Sequence, residues 1–106
     1  DGKPATLSGR IVTDLLKDSL GFEGIAITDA MNMKAVSGFE NASLQAFKAG
    51  CDVIITPKSI PEFIRQVDEA VRQDPALANH LEQAVRKVIR LKICTSLIQP
   101  QFLNTI

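Results

Sequence analysis

Apolar residues recur along this chain with two different patterns. Over residues 8–20, Ile11, Val12, Leu15, Leu16 and Leu20 return at helical spacing, while Asp14, Lys17 and Asp18 fall on the other side. Ser8 is placed to cap the first turn, Leu7 to staple against Val12, and Gly21 to take the left-handed conformation that closes a helix. Helical spacing resumes over 41–49, where Leu44, Ala46 and Phe47 are the apolar positions and Gly50 ends the run. Pro61 opens a third helix, with Ser59 near its N-terminus and Phe63, Ile64, Val67, Ala70 and Val71 on one face. Asp74-Pro75 breaks it. A last helix over 76–93 carries Leu77, Leu81, Ala84, Val85, Val88 and Leu91 on its buried stripe. Its Arg86, Lys87, Arg90 and Lys92 gather towards the C-terminal end, where they suit the helix dipole.

Two short uncharged runs interrupt this periodicity. Ile25-Ala26-Ile27, within a strand over 24–28, is bounded by Gly24 and Thr28-Asp29, and Val53-Ile54-Ile55 is closed by Thr56-Pro57. Each reads as a strand covered on both faces, as in a parallel sheet. The helix between them predicts parallel strands joined by a right-handed crossover. The order helix, strand, helix, strand, helix, helix is α/β architecture. Two such strands leave open edges, so the pattern predicts a segment of a larger sheet or barrel. Residues 95–106 lack periodicity, and Pro100 argues against a continued helix, which predicts an irregular tail.

Composition narrows the function classes. Twelve acidic and twelve basic residues cancel, and Trp and Tyr are absent, so a basic stripe with stacking aromatics is missing and nucleic acid is not an expected partner. No apolar run approaches the roughly 20 residues that cross a bilayer, and Asp1-Gly2-Lys3-Pro4 has no signal-peptide pattern. Cys51 and Cys94 read as free thiols packed as small apolar residues. His80 has no Cys/His cluster around it to make a metal site and is expected on a helix surface or in helix packing.

Asp29 is the acidic residue in the most informative position, where the first strand runs out. In parallel α/β folds that edge binds ligands, and in barrels it carries catalytic residues. The local pattern leaves two readings open. Asp29 caps a following turn by accepting from the amides of Met31 or Asn32, or it acts as base, metal ligand or nucleophile. Asp14, Asp18, Asp68 and Glu69 fall on polar helix faces, and Asp52 precedes its strand, the end associated with stability. Ser37 and Ser43 have no His-Asp arrangement, and Gly21-Phe22-Glu23-Gly24 lacks phosphate-loop spacing.

As a set, residues 4–92 resemble glycoside hydrolase family 3. Pro4-Ala5-Thr6-Leu7-Ser8, Leu15-Leu16 through Leu20-Gly21-Phe22-Glu23-Gly24, Ile27-Thr28-Asp29-Ala30-Met31-Asn32-Met33, Ala49-Gly50-Cys51-Asp52 and Val85-Arg86-Lys87-Val88-Ile89-Arg90-Leu91-Lys92 follow in that family's order. The resemblance implies that residues 1–94 are the C-terminal portion of the family's N-terminal (β/α)8 TIM barrel, with the two strands as its final pair. It implies that Asp29 is the nucleophile of a retaining glycosidase that needs neither cofactor nor metal. Ala30-Met31-Asn32-Met33 resembles the β-N-acetylhexosaminidase group, where the β-glucosidase-like members usually carry Trp after the nucleophile. The implied substrate is terminal β-linked N-acetylglucosamine from peptidoglycan fragments or chitooligosaccharides. Met31 becomes a candidate sugar contact, with core packing as the alternative for Met31 or Met33.

In that group the acid/base is a histidine on an upstream loop, accompanied by a Lys-His-Phe-Pro-Gly run. Neither occurs in these 106 residues, and His80 stands in the wrong element to replace it. The isolated chain is therefore expected to be inactive, and to self-associate or pair with the missing barrel portion. The rival readings are a β-glucosidase or β-xylosidase of the same family, and a non-catalytic scaffold or interaction domain derived from the barrel.

Overall fold

The computed structural model describes residues 3–31 and 38–95. A single 3-10 turn, Ala5–Leu7, leads into helix α1, Arg10–Ser19. Strand β1, Ile27–Ala30, follows, then α2, Ala42–Ala49, and strand β2, Val53–Ile55. Helices α3, Ile60–Gln73, and α4, Pro75–Cys94, complete the described chain. The two strands pair in parallel, with Ile27 opposite Val53 and Ala30 opposite Ile55 across a register shift. This is the expected α/β order with parallel strands. Strand β1, however, starts later than the apolar run implied. Asp29 lies inside it rather than after it, because backbone pairing reaches Met31, whose amide donates to the Ile55 carbonyl at 2.9 Å.

Helix α1 also departs from the expected helix over 8–20. It is wound wide, as a π-helix, and Leu20 N–H donates to the Leu15 carbonyl five residues back at 2.9 Å. Ser8 contributes its carbonyl, which accepts from Ile11 and Val12 at 3.1 and 3.0 Å. Gly21 closes the helix at φ +69°, as expected. At the far end of α2, Gly50 sits at φ +120°, and a side chain there would run into Thr13. That close approach lets the Thr13 hydroxyl donate to the Ala49 carbonyl at 2.6 Å, tying α1 to α2.

Helices α3 and α4 start one residue earlier than the pattern suggests, for reasons written in their caps. The Ser59 hydroxyl accepts from Glu62 N–H at 3.3 Å with Pro61 in the first turn, and Asp74 accepts from Ala76 N–H at 2.9 Å with Pro75 beside it. Asp74-Pro75 thus ends one helix and caps the next.

The core gathers Leu7, Val12, Met31, Ala42, Ala46, Ala49 and Cys51 between α1, α2 and the sheet. The expected buried stripes are only partly covered. In α1, Val12 is buried while Ile11, Leu15 and Leu20 are exposed, and in α4 only Ala84 is buried while Val85 and Leu91 are exposed. These helices have a single packed layer beneath them among the described residues. The tail expected over 95–106 lies outside the described residues beyond Thr95.

Candidate functional site

The alternation of side chains along β1 decides what Asp29 presents to solvent. Thr28 is buried, and its hydroxyl accepts from Ile55 N–H at 2.9 Å, pinning β1 to β2 from the helix-covered side. Asp29 therefore points to the opposite, open face together with Ile27, which is 54% exposed. Its Oδ1 accepts from Ala30 N–H at 2.8 Å, and no cation among the described residues pairs with it. This is not the cap expected from sequence: the Met31 amide is committed to Ile55, and Asn32 lies outside the described residues.

Because the strands are parallel, the C-terminal end of β2 stands beside Asp29's own. There Thr56 adopts φ +50°, unusual for a β-branched residue, immediately before Pro57. A cleft of about 280 Å³ opens at this rim, with Met31, Phe39, Pro57, Ser59 and Phe63 among its walls. Met31 borders it but is 2% exposed and packed in the core, while Asp29 does not line it. Simple alternation would place Asp29 and Met31 on one face, but the ladder shifts register between Ile27 and Ala30, and Met31 is buried in the core while Asp29 is exposed. Met33 lies outside the described residues.

The other end of the sheet holds a charged cluster around Asp52, whose carboxylate is fully buried. Oδ1 receives Lys17 Nζ at 3.2 Å, and Oδ2 receives Ala26 N–H at 2.9 Å and Lys87 Nζ at 3.5 Å. Each lysine also ties down a backbone carbonyl, Lys17 that of Gly50 and Lys87 that of Gly24 at 3.1 Å. His80 Nε2 donates to the Cys51 carbonyl at 3.0 Å, its ring packs on Phe47 with centroids 4.8 Å apart, and Nδ1 faces Asp52 at 4.0 Å. A carbonyl only accepts, so Nε2 carries the proton and neutral Nδ1 is bare. Burial lowers the His80 pKa, and the Cys51 hydrogen bond opposes that only in part. Burial likewise pushes the Cys51 thiol up.

His80 therefore does the helix-packing work expected of it, and Asp52 is structural as its position before β2 suggested. Cys51 is buried and free, whereas Cys94 is free but exposed. No local feature of the sequence marks the convergence of Lys17, Asp52 and Lys87. They come from three elements, and only the depth of Asp52 beneath the sheet joins them. Among the described residues no group of three or more His, Cys, Asp or Glu side chains is arranged to hold a metal ion, and no helix is long and apolar enough to cross a membrane.

Residues 1–91 match the model of the glycosyl hydrolase family 3 N terminal domain. The chain belongs to that family. Among family 3 relatives, it is 29% identical over 102 residues to "Beta-hexosaminidase A" of Pseudoalteromonas piscicida, covering 85% of this chain and 17% of that protein. It is 26% identical over 92 residues to "Beta-N-acetylglucosaminidase/beta-glucosidase" of Cellulomonas fimi, covering 84% and 16%. The fold superposes on the β-N-acetylglucosaminidase of Thermotoga maritima with a TM-score of 0.72 and 29% identity, over 85% of this chain and 21% of that one. The chain thus spans about a fifth of the length of these family 3 proteins.

Proposed function

We propose that this family 3 chain supplies the nucleophile-bearing part of a retaining glycosidase, with Asp29 as nucleophile. Residues 1–94 then form the closing portion of a (β/α)8 barrel, and the open face of β1 is the barrel interior. The observation that carries this reading is the placement of Asp29: exposed, near the C-terminal end of a parallel strand, on the face opposite the helices. The substrate proposed is terminal β-linked N-acetylglucosamine, supported by the names of the relatives and by Ala30-Met31-Asn32-Met33 after the nucleophile.

On this reading the two carboxylate oxygens have different roles. Oδ1 is held by Ala30 N–H, which fixes the carboxylate and disperses its charge. Oδ2 is left to attack the anomeric carbon. The C1–Oδ2 bond forms as the glycosidic C1–O bond breaks, and an acid on the opposite face protonates the departing oxygen. Water then attacks C1, releasing the sugar and restoring the carboxylate. That acid must come from outside these 106 residues, since His80 is committed to the Cys51 carbonyl beneath the sheet. Met31 contributes by packing behind the strand rather than through an exposed contact.

In the full-length protein, Asp29→Asn is expected to lower kcat for an aryl β-N-acetylglucosaminide by about 10³-fold or more, a barrier rise of about 4 kcal/mol. In the same assay the isolated 106 residues should show no turnover. Near-normal rates in the variant, or turnover by the isolated chain, would overturn the assignment. A second reading, cleavage of β-glucosides, is favoured by the double name of the Cellulomonas fimi relative and is decided by the corresponding aryl glucoside.

A further inference from the structure

The Asp52 cluster leaves positive charge uncompensated on the side away from the sheet. A cleft of about 640 Å³ opens there between α1, the 20–24 loop and α4. Its ionised walls are Lys17, Lys48, Lys87 and Arg90 against a single acid, Glu23, with His80 beside them. The chain as a whole has a net charge of zero, so the four-to-one excess is local. Asp52 does not line the cleft: it lies behind Lys17 and Lys87, which are 17% and 23% exposed and share its one carboxylate.

Each of these ammoniums has three donors, of which the structure commits two. Lys17 binds the Gly50 carbonyl and Asp52, and Lys87 binds the Gly24 carbonyl and Asp52. One N–H on each remains. Lys48 and Arg90, at the exposed margin, have no partner among the described residues. Two like charges held close together and partly out of water repel more strongly than surface charges, and a second anion relieves that repulsion.

We propose that this cleft binds a phosphate dianion, as the free ion or as the phosphate of a small monoester. Two half-buried lysine donors, an exposed lysine and a guanidinium fork call for a ligand with several acceptor oxygens and more than one negative charge. A carboxylate offers only two oxygens and one charge. The site lies at the end of the strands opposite Asp29, so it stands independently of the glycosidase reading.

The test is titration of the full-length protein with sodium phosphate at constant ionic strength, followed by the backbone amide shifts of these residues, with sodium chloride as the control. Saturable shifts centred on Lys48, Lys87 and Arg90 are expected. Lys48→Gln with Arg90→Gln, both exposed, should weaken binding about tenfold, a loss of about 1.4 kcal/mol. Glu23→Gln, which removes the one acid of the cleft, should tighten it, and Arg72→Gln on α3 should leave it unchanged. Glucose 6-phosphate binding more tightly than inorganic phosphate assigns the ligand to a phosphate monoester, and equal affinity assigns it to the free ion. Non-saturating shifts, shifts reproduced by chloride, or affinity unmoved by the double variant would overturn the site.

Discussion

Asp29 and Asp52 are 23 positions apart, and their surroundings are opposite in kind. Asp29 has one backbone hydrogen bond and an open face, the condition of a group that must reach a substrate. The Asp52 carboxylate has no exposure and is held by two lysines and a backbone amide, the condition of a group that organises structure. Asp52→Asn would leave Lys17 and Lys87 half-buried without their counter-charge. It should destabilise the chain by about 3 kcal/mol, measured by urea unfolding. A change below about 1 kcal/mol would show the cluster to be a solvated surface pair instead. The division was legible in part: position at the end or the beginning of a strand separates the two aspartates without coordinates. The partners of Asp52 were not, because Lys17 and Lys87 each look like ordinary polar-face residues within their own helices.

At the scale of elements, helical periodicity located α1 to α4 and two uncharged apolar runs located β1 and β2, and caps such as Ser59 and Asp74 explain where α3 and α4 begin. The apolar run misplaced β1 because apolar content marks burial, whereas strand extent follows hydrogen bonding, and Thr28 and Met31 both bond to Ile55. Periodicity also could not show the wide winding of α1. Alongside Lys87, His80 ties α4 to the sheet: it faces Asp52, Lys17 and Lys87 and bonds the Cys51 carbonyl. Its folded pKa lies below the ordinary 6.5, so the unfolded chain takes up the proton first as pH falls. The stability that neutral His80 contributes is complete above about pH 6.5 and is lost as pH drops through the folded value. Thermal midpoints should therefore fall below pH 6.5, and His80→Gln, which keeps a donor for Cys51, should flatten that slope. An unchanged slope in the variant would assign the loss to other groups.

The whole chain carries more apolar surface than its described layers cover. Ile27 and Ile55 are exposed on the strands, and Ile64 and Val85 are exposed on α3 and α4 beside an apolar groove of about 620 Å³. Sequence alone pointed to open strand edges, since two parallel strands with continuous apolar runs need neighbours on both sides. On the proposed reading as a barrel portion, the isolated chain should bury this surface by self-association, and light scattering should report a mass above the 11.5 kDa monomer. A stable monomer would contradict that expectation. On the proposed reading, proton donation to the leaving oxygen belongs to a separate stretch of chain. The central claim is that Asp29 forms the covalent bond to the sugar. Reacting the full-length protein with a slow, fluorine-substituted N-acetylglucosaminyl donor and sequencing its peptides by mass spectrometry tests this most directly. The account predicts one added glycosyl unit esterified to Asp29, and a label on any other carboxylate would contradict it.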